Sequence, residues 1–335
     1  MENLGYYNGR YDLIERMTVP MNDRAVYFGD GIFEVIYTRN HIPYAMDEHM
    51  DRMYDSASEL GIRIPLTKAE FSKLLCELIG KVDDGEQLVY WQVSRGTEMR
   101  SHAPKGELTG NVLVTIRPMK LRDIYTPMKV ITVEDTRFFH CNMKTLNLLP
   151  TVLASIQATN AGMDEAIFHR GDRVTECAHS NVSILRKDGT LQTAPADRLI
   201  LPGVARAHLL RLCESLGVPV LEEPFTVKEM IEADEIIVTA SGTLCRPVGE
   251  IDGIPVGGKA PTLLKTLQDA LLGDFMAKTE GRDPLRGLRH RRPGRGRGHR
   301  GDVPHHRRRG AAYAHRQAAL SHGRGNALQH FGGGA

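Results

Sequence analysis

The alternation of β-rich and amphipathic segments along this chain predicts an α/β fold, α+β in character and divided into two domains. Three observations carry that expectation. At 335 residues the chain has room for about two domains of roughly 100–200 residues each. Hydrophobic residues make up 41% and charged residues 25%, enough apolar matter for buried cores. The pattern also changes twice, turning polar around Met119–Tyr125 and shifting composition abruptly after Glu280. Residues 1–120 are therefore expected to form a smaller N-terminal domain, 121–280 a larger C-terminal one, and 281–335 a disordered Arg/Gly-rich tail.

The elements follow in order. Asp47 to Leu60 places Met50, Met53, Tyr54, Ala57 and Leu60 at helical spacing, and Thr67–Glu70 is a capping box that opens a second helix through Phe71, Leu74, Leu75 and Leu78. QLVYWQVSRGT and GNVLVTIRP are rich in β-branched and aromatic residues and bounded by Gly or Pro, so they read as strands. A new series begins with the strand MKVITVED, a helix over Leu149–Ala161, the strands DEAIFHR and SNVSILR, and a helix after Pro202–Gly203. Thr226–Glu229 is a further capping box, EIIVTA a strand, and Thr262–Met276 a helix with Leu263, Leu264, Leu267, Ala270, Leu271 and Phe275 on one face.

Charge divides the chain where composition does. Residues 281–335 hold thirteen Arg, no Lys and two acids, a net of +11, whereas the first 280 hold 30 basic and 39 acidic residues, a net of −9. The tail lacks the apolar surface needed to offset its ordering entropy, hence the expected disorder. Reading a GC-rich gene out of frame would give a similar bias. No apolar run approaches the ~18 residues of a membrane span, and the N-terminus has neither the basic nor the apolar region of a signal peptide. Five scattered cysteines without CxxC spacing suit a reduced, cytoplasmic setting.

No GxGxxG follows a strand-like segment, and Walker, HExxH and GxSxG motifs are missing, so dinucleotide binding, P-loop chemistry, zinc proteolysis and serine hydrolysis lack their usual supports. What remains is a set of single residues. Lys144 in FHCNMKTLNLLP sits between a strand and an apolar helix, where a desolvated amine would titrate low and act as a nucleophile; a solvated surface lysine is the alternative. Glu176 in RVTECAHSN is a carboxylate at a strand junction. Arg100 and His102 in RGTEMRSH lie two residues apart after a strand and can form an anion clamp, or simply a solvated loop. LPGVAR is a turn feeding a helix, whose N-terminal amides suit an anion.

Taken together and in order, NDRAVYFGDGIFEVI, DEHMDRMYDSA, YWQVSRGTEMRSH, VEDTRFFHCNMKTLNLLP, DEAIFHRGDRVTECAHSNV, RLILPGVAR and the strand leading into ASGT resemble one family. It is the fold-type IV aminotransferases, which use pyridoxal 5'-phosphate, and within them the D-amino acid aminotransferases. The resemblance covers roughly residues 1–278. It implies that Lys144 forms a Schiff base with the cofactor and shuttles the proton, that Glu176 faces the pyridine nitrogen, and that Glu165 helps order that region. Arg52, the backbone of Val204 and Ala205, and Ser241 would bind the phosphate, with Gly203 allowing close approach. Arg100 and His102 would hold the substrate carboxylate in the neighbouring subunit's site, which implies a homodimer and favours D-amino acids.

Two positions depart from the family pattern. Phe33 stands where relatives carry a tyrosine that completes the carboxylate trap, and loss of one hydrogen bond to a charged group is worth ~1.5–3 kcal/mol. His179 in ECAHSN replaces a small residue and either lines the site or faces outward. Branched-chain L-amino acid aminotransferase and aminodeoxychorismate lyase are the alternatives within the fold. From another class, the Arg-rich tail could bind RNA electrostatically, though Tyr313 and Phe331 are its only stacking residues. No resident metal is expected, with His305 and His306 the one pair that could bind one.

Overall fold

The computed structural model describes residues 1–281. The disorder, RNA binding and His305/His306 readings of the tail lie outside the described residues. The strands form two sheets that share no strand. The first holds β1 (Leu4–Tyr7), β2 (Arg10–Asp12), β3 (Gly31–Arg39), β4 (Ile42–Pro43), β5 (Gln87–Ser94) and β6 (Asn111–Pro118), ordered β2-β1-β6-β5-β3-β4 with every neighbour antiparallel. Helices α1 (Arg24–Phe28), α2 (Met46–Leu60) and α3 (Lys68–Ile79) belong to the same stretch, α3 opening on the expected Thr67–Glu70 capping box. The short helix α1 was not legible as one. Asp23 caps it by accepting from the Ala25 amide, and Gly29 ends it at φ +61°.

Strand β3 shows why its two faces do different work. Ile32 and Ile36 point into a core with Met50 and Met53 of α2 and Phe71 of α3, while Phe33, Val35 and Tyr37 face the opposite way, into a cavity. The strand expected through Thr97 ends at Ser94, because Gly96 takes φ +133° and turns the chain away.

The second sheet holds β7 (Met128–Glu134), β8 (Glu165–Arg170), β9 (Arg173–Cys177), β10 (Asn181–Leu185), β11 (Leu191–Thr193), β12 (Val220–Glu222), β13 (Glu235–Thr239) and β14 (Arg246–Ile251), with β15 (Ile254–Pro255) paired to β14. It is mixed: β14, β7 and β8 run parallel, so α4 (Leu149–Asn160) is the crossover of a βαβ unit between β7 and β8. Helices α5 (Val204–Ser215), α6 (Val227–Glu232) and α7 (Pro261–Lys278) complete the body. Leu264, Leu267, Leu271 and Phe275 of α7 are buried against Leu209 and Cys213 of α5, the apolar stripe its sequence shows.

Candidate active site

Lys144 lies in the connection from the carboxyl end of β7 to α4, where ligands gather in parallel sheets. The segment is pinned to the other sheet: the Phe33 amide donates to the Lys144 carbonyl at 3.0 Å, the Leu146 amide to the Gly31 carbonyl at 3.0 Å, and Ile32 bridges to Thr145. This pairing aims the Lys144 side chain into a cavity of about 440 Å³, with Nζ 4.4 Å from the centroid of the Phe33 ring. Desolvation, reinforced by the Arg52 charge, pushes its amine down to about 8. A neutral, nucleophilic amine is thus accessible near neutral pH.

Glu176, at the end of β9, lines the same cavity. One carboxylate oxygen accepts from Arg137 Nη1, the other from Asn181 Nδ2 at 2.9 Å and from the Leu201 amide at 3.0 Å. Burial pushes the group up to about 7, with Arg137 and these donors opposing the rise. Arg137 is itself fixed by a two-point pair with Asp135, 2.9 Å at each contact, and its Nη2 donates to the Leu199 carbonyl at 3.1 Å. The chain therefore builds a chain of buried charges, Asp135 to Arg137 to Glu176, ending at the cavity wall.

A cradle for an anion completes the wall. Val204 and Ala205 begin α5, whose cap residue Gly203 offers no side chain, so the first-turn amides stay available to a ligand. A Cβ on Gly203 would run into the Asn181 side-chain oxygen, so glycine is required there by the close approach that holds Glu176. Ser241, Arg52, Thr239 and Thr243 line the same cavity, and the buried hydroxyls of Thr239 and Thr243 have no partner among the described residues. Arg52 lines the cavity with only part of its guanidinium free. Its fork does not face the cradle but clasps Glu34, with Nε and Nη2 each at 2.7 Å, leaving Nη1 to reach the Pro202 carbonyl at 3.0 Å and the cavity edge. Burial alone would raise the Glu34 carboxyl, but Arg52 and His49 outweigh it and hold it at about 2.

The fold gathers Lys144, Glu176, Arg52, Val204, Ala205, Ser241 and Phe33 around one cavity. Three expected site residues stand apart. Glu165 does not line it; the carboxylate sits behind the wall, accepting from Ser180 Oγ at 2.9 Å and lying 3.1 Å from His179 Nδ1. Its group meets the cavity lining through those two residues and the Ala178 backbone. Arg100 and His102 are exposed on the loop after β5, both against the Phe28 ring and outside their own chain's cavity. His179 does both: it lines the cavity, yet its side chain is exposed. Sequence reading missed Glu34, Asp135, Arg137, Asn181 and the two threonines. Glu34 did leave a signal, an acid on the Ile32–Ile36 face of an otherwise apolar strand.

A desolvated lysine and a buried carboxylate share one cavity with the uncapped start of a helix, an arrangement suited to covalent chemistry on an anionic carbonyl compound. The family comparison agrees: the model for "Amino-transferase class IV" matches residues 31–251, and the chain belongs to that family. It is accordingly a transaminase. A D-alanine aminotransferase of Listeria monocytogenes serotype 4b is 38% identical over 265 residues, 76% of this chain and 91% of the relative. One from Bacillus licheniformis is 36% identical over 276 residues, 82% and 97% of the two chains. Among solved structures, a branched-chain aminotransferase from Thermoproteus uzoniensis shares the fold at TM-score 0.73 and 24% identity, covering 82% of this chain and 97% of that one. A putative 4-amino-4-deoxychorismate lyase from Legionella pneumophila gives TM-score 0.71 at 26% identity, covering 78% and 97%.

Proposed function

We propose that the enzyme uses pyridoxal 5'-phosphate to move an amino group between a D-amino acid, such as D-alanine, and a 2-oxo acid, such as 2-oxoglutarate. The observation that carries the cofactor is the convergence of the Lys144 amine, the Glu176 carboxylate and the uncapped start of α5 on one cavity. The orphaned hydroxyls of Thr239 and Thr243 in its wall fit a group rich in acceptor oxygens. The two D-alanine aminotransferase relatives, each covered over more than nine-tenths of its length, support the D-amino acid reading.

When bound, pyridoxal phosphate supplies an aldehyde that links to amines and a ring that stores the electron pair left at the substrate Cα. The protein's part is positional and electrostatic. The Val204 and Ala205 amides, Ser241 and the Arg52 edge bind the phosphate. Glu176, whose ionised form is favoured by Arg137 and two N–H donors against the pull of burial, would face the ring nitrogen and favour a proton there. Lys144 Nζ would carry the proton from the substrate Cα to the aldehyde-derived carbon of the cofactor, and in the opposite direction in the second half-reaction. Phe33, Val35 and Leu88 keep one wall of the cavity dry.

The same reading assigns residues 1–120 and 121–280 as two domains, supported by the two separate sheets. It assigns a homodimer in which Arg100 and His102 serve the neighbouring site. Two features support this: both residues lie outside their own cavity, and α4 exposes Leu149, Val152, Leu153 and Ile156 at i, i+3, i+4 and i+7. No helix of the described residues is long and apolar enough to cross a membrane, and five unpaired cysteines support a reducing, cytoplasmic location.

Phe33, which offers no hydroxyl to a carboxylate, favours a second reading, transfer from a branched-chain L-amino acid. Pyruvate release from D-alanine, measured beside oxo-acid release from L-leucine, separates the two. Turnover of D-alanine is expected, and turnover of L-leucine alone would reject D specificity.

A further inference from the structure

Arg24 has a side chain only 4% exposed, yet it lies outside the cavity and takes no part in the chemistry described above. It opens α1, and its guanidinium carbon sits 4.9 Å from the centroid of the Phe28 ring at the other end of that helical turn. Each nitrogen of the fork has a fixed partner. Nε donates to Asp30 Oδ2 at 2.7 Å, Nη1 to the Ser101 carbonyl at 2.7 Å and Nη2 to the His102 carbonyl at 2.9 Å. A buried guanidinium is costly unless its donors are satisfied, so the two consecutive carbonyls are held as firmly as the arginine itself.

The loop held in this way is the one after β5 that carries Arg100 and His102. Its start is tied to the backbone around α1: the Arg24 amide donates to the Gly96 carbonyl at 2.9 Å and the Glu98 amide to the Asn22 carbonyl at 3.1 Å. Further out, the Arg24 fork supplies the only hydrogen bonds from α1 to residues 99–102 among the described residues. Arg100 Cζ and the His102 ring each lie 5.3 Å from the Phe28 centroid, so both side chains lean on the ring that Arg24 also covers. The acids nearby are already taken. Asp30 pairs with Arg24 and, at 2.9 Å, with Arg95 Nε, and Glu98 Oε2 lies 3.8 Å from Arg24 Nη1. Arg100 and His102 are exposed and form no ion pair with any described residue, which leaves their N–H groups to an incoming anion.

We infer that Arg24 is the positioning residue of the carboxylate clamp: by holding the Ser101 and His102 carbonyls it sets Arg100 and His102 side by side, as one anion site offered to the neighbouring subunit. The inference rests on the reading of those two residues as the clamp and adds what arranges them. On an untied loop, each arriving substrate would have to order an arginine and a histidine, and that ordering would weaken its binding. Lysine cannot replace the fork, since one ammonium does not span the Asp30 carboxylate and both carbonyls in a plane.

The test uses full-length holoenzyme with D-alanine and saturating 2-oxoglutarate, in the wild-type background and in one lacking the clamp, Arg100→Ala/His102→Ala. In the wild-type background Arg24→Lys is expected to lower kcat/KM for D-alanine about tenfold, through KM more than kcat, with the absorbance of bound pyridoxal phosphate unchanged. Without the clamp the same substitution is expected to cost less than about twofold, because it acts only through the residues already removed. Arg24→Gln, which buries no charge and leaves Asp30 paired with Arg95, should give the same pattern and serves if the lysine variant does not fold. An unchanged kcat/KM in the wild-type background, or an equal loss in both backgrounds, overturns the assignment and leaves the clamp standing. If Arg100→Ala/His102→Ala itself leaves kcat/KM for D-alanine unchanged, the clamp reading falls and the inference falls with it.

Discussion

Replacing Glu34 by glutamine probes how Arg52 is held at the cavity edge. Glu34 is fully buried and accepts from Arg52 twice and lies 2.7 Å from His49 Nδ1. The substitution keeps the volume, removes the charge and turns an amide N–H₂ toward a guanidinium. Two routes give its cost. Removing one partner of a buried pair typically costs ~3–5 kcal/mol. The fall of the Glu34 carboxyl from its ordinary 4.5 to about 2 corresponds to ~3 kcal/mol by linkage. Because the folded group titrates below the unfolded one, that stability is fully present above 4.5 and is lost as pH falls toward about 2. Urea unfolding of Glu34→Gln near pH 7 should therefore show a loss of about 3 kcal/mol, and the gap to wild type should narrow on acidification to about pH 3. Titration with pyridoxal phosphate should show weaker uptake, since Arg52 loses its orientation. A loss below ~1 kcal/mol near pH 7, or a gap that does not narrow with acid, would refute the claim that this pair fixes Arg52.

Three further outcomes follow from the same geometry. Lys144→Ala should abolish transamination and the visible absorbance of bound pyridoxal phosphate, while in wild type the rate of cofactor uptake by stopped-flow absorbance should climb with pH through about 8, where the amine loses its proton. Gly203→Ala should drive Asn181 away from Glu176, which thermal unfolding would register as a loss of ~1–3 kcal/mol and cofactor titration as a lower affinity. Phe33→Tyr restores a hydroxyl near the lysine, so KM for D-alanine should fall by about tenfold or more, given the ~1.5–3 kcal/mol of a hydrogen bond to a charged group; an unchanged KM would place the carboxylate elsewhere.

Much of the body was legible because local rules govern it. The capping boxes at Thr67–Glu70 and Thr226–Glu229 form as expected, and the stripes of α2 and α7 bury the faces their periodicity marks. These signals need only neighbours three or four residues away. The candidate lysine and carboxylate stood out only through an ordered set of motifs, since a lone lysine before a helix carries no chemistry of its own. Short elements such as α1 were not legible, their stability coming from a cap and a left-handed glycine more than from any apolar pattern.

The sequence by itself determined most of the longer helices and strands, the family, and the candidate nucleophile. What only the tertiary structure decided are the long-range meetings. It pins Lys144 to β3, turns the Arg52 fork toward Glu34, sets Arg137 behind Glu176, and leaves Glu165 outside the cavity. The physical reason is that buried charges depend on partners more than a hundred residues away or across a sheet, as Arg52 does on Pro202. No local pattern encodes how each charge is paired, and pairing is what sets whether a buried group is a brace or is left free to take a ligand.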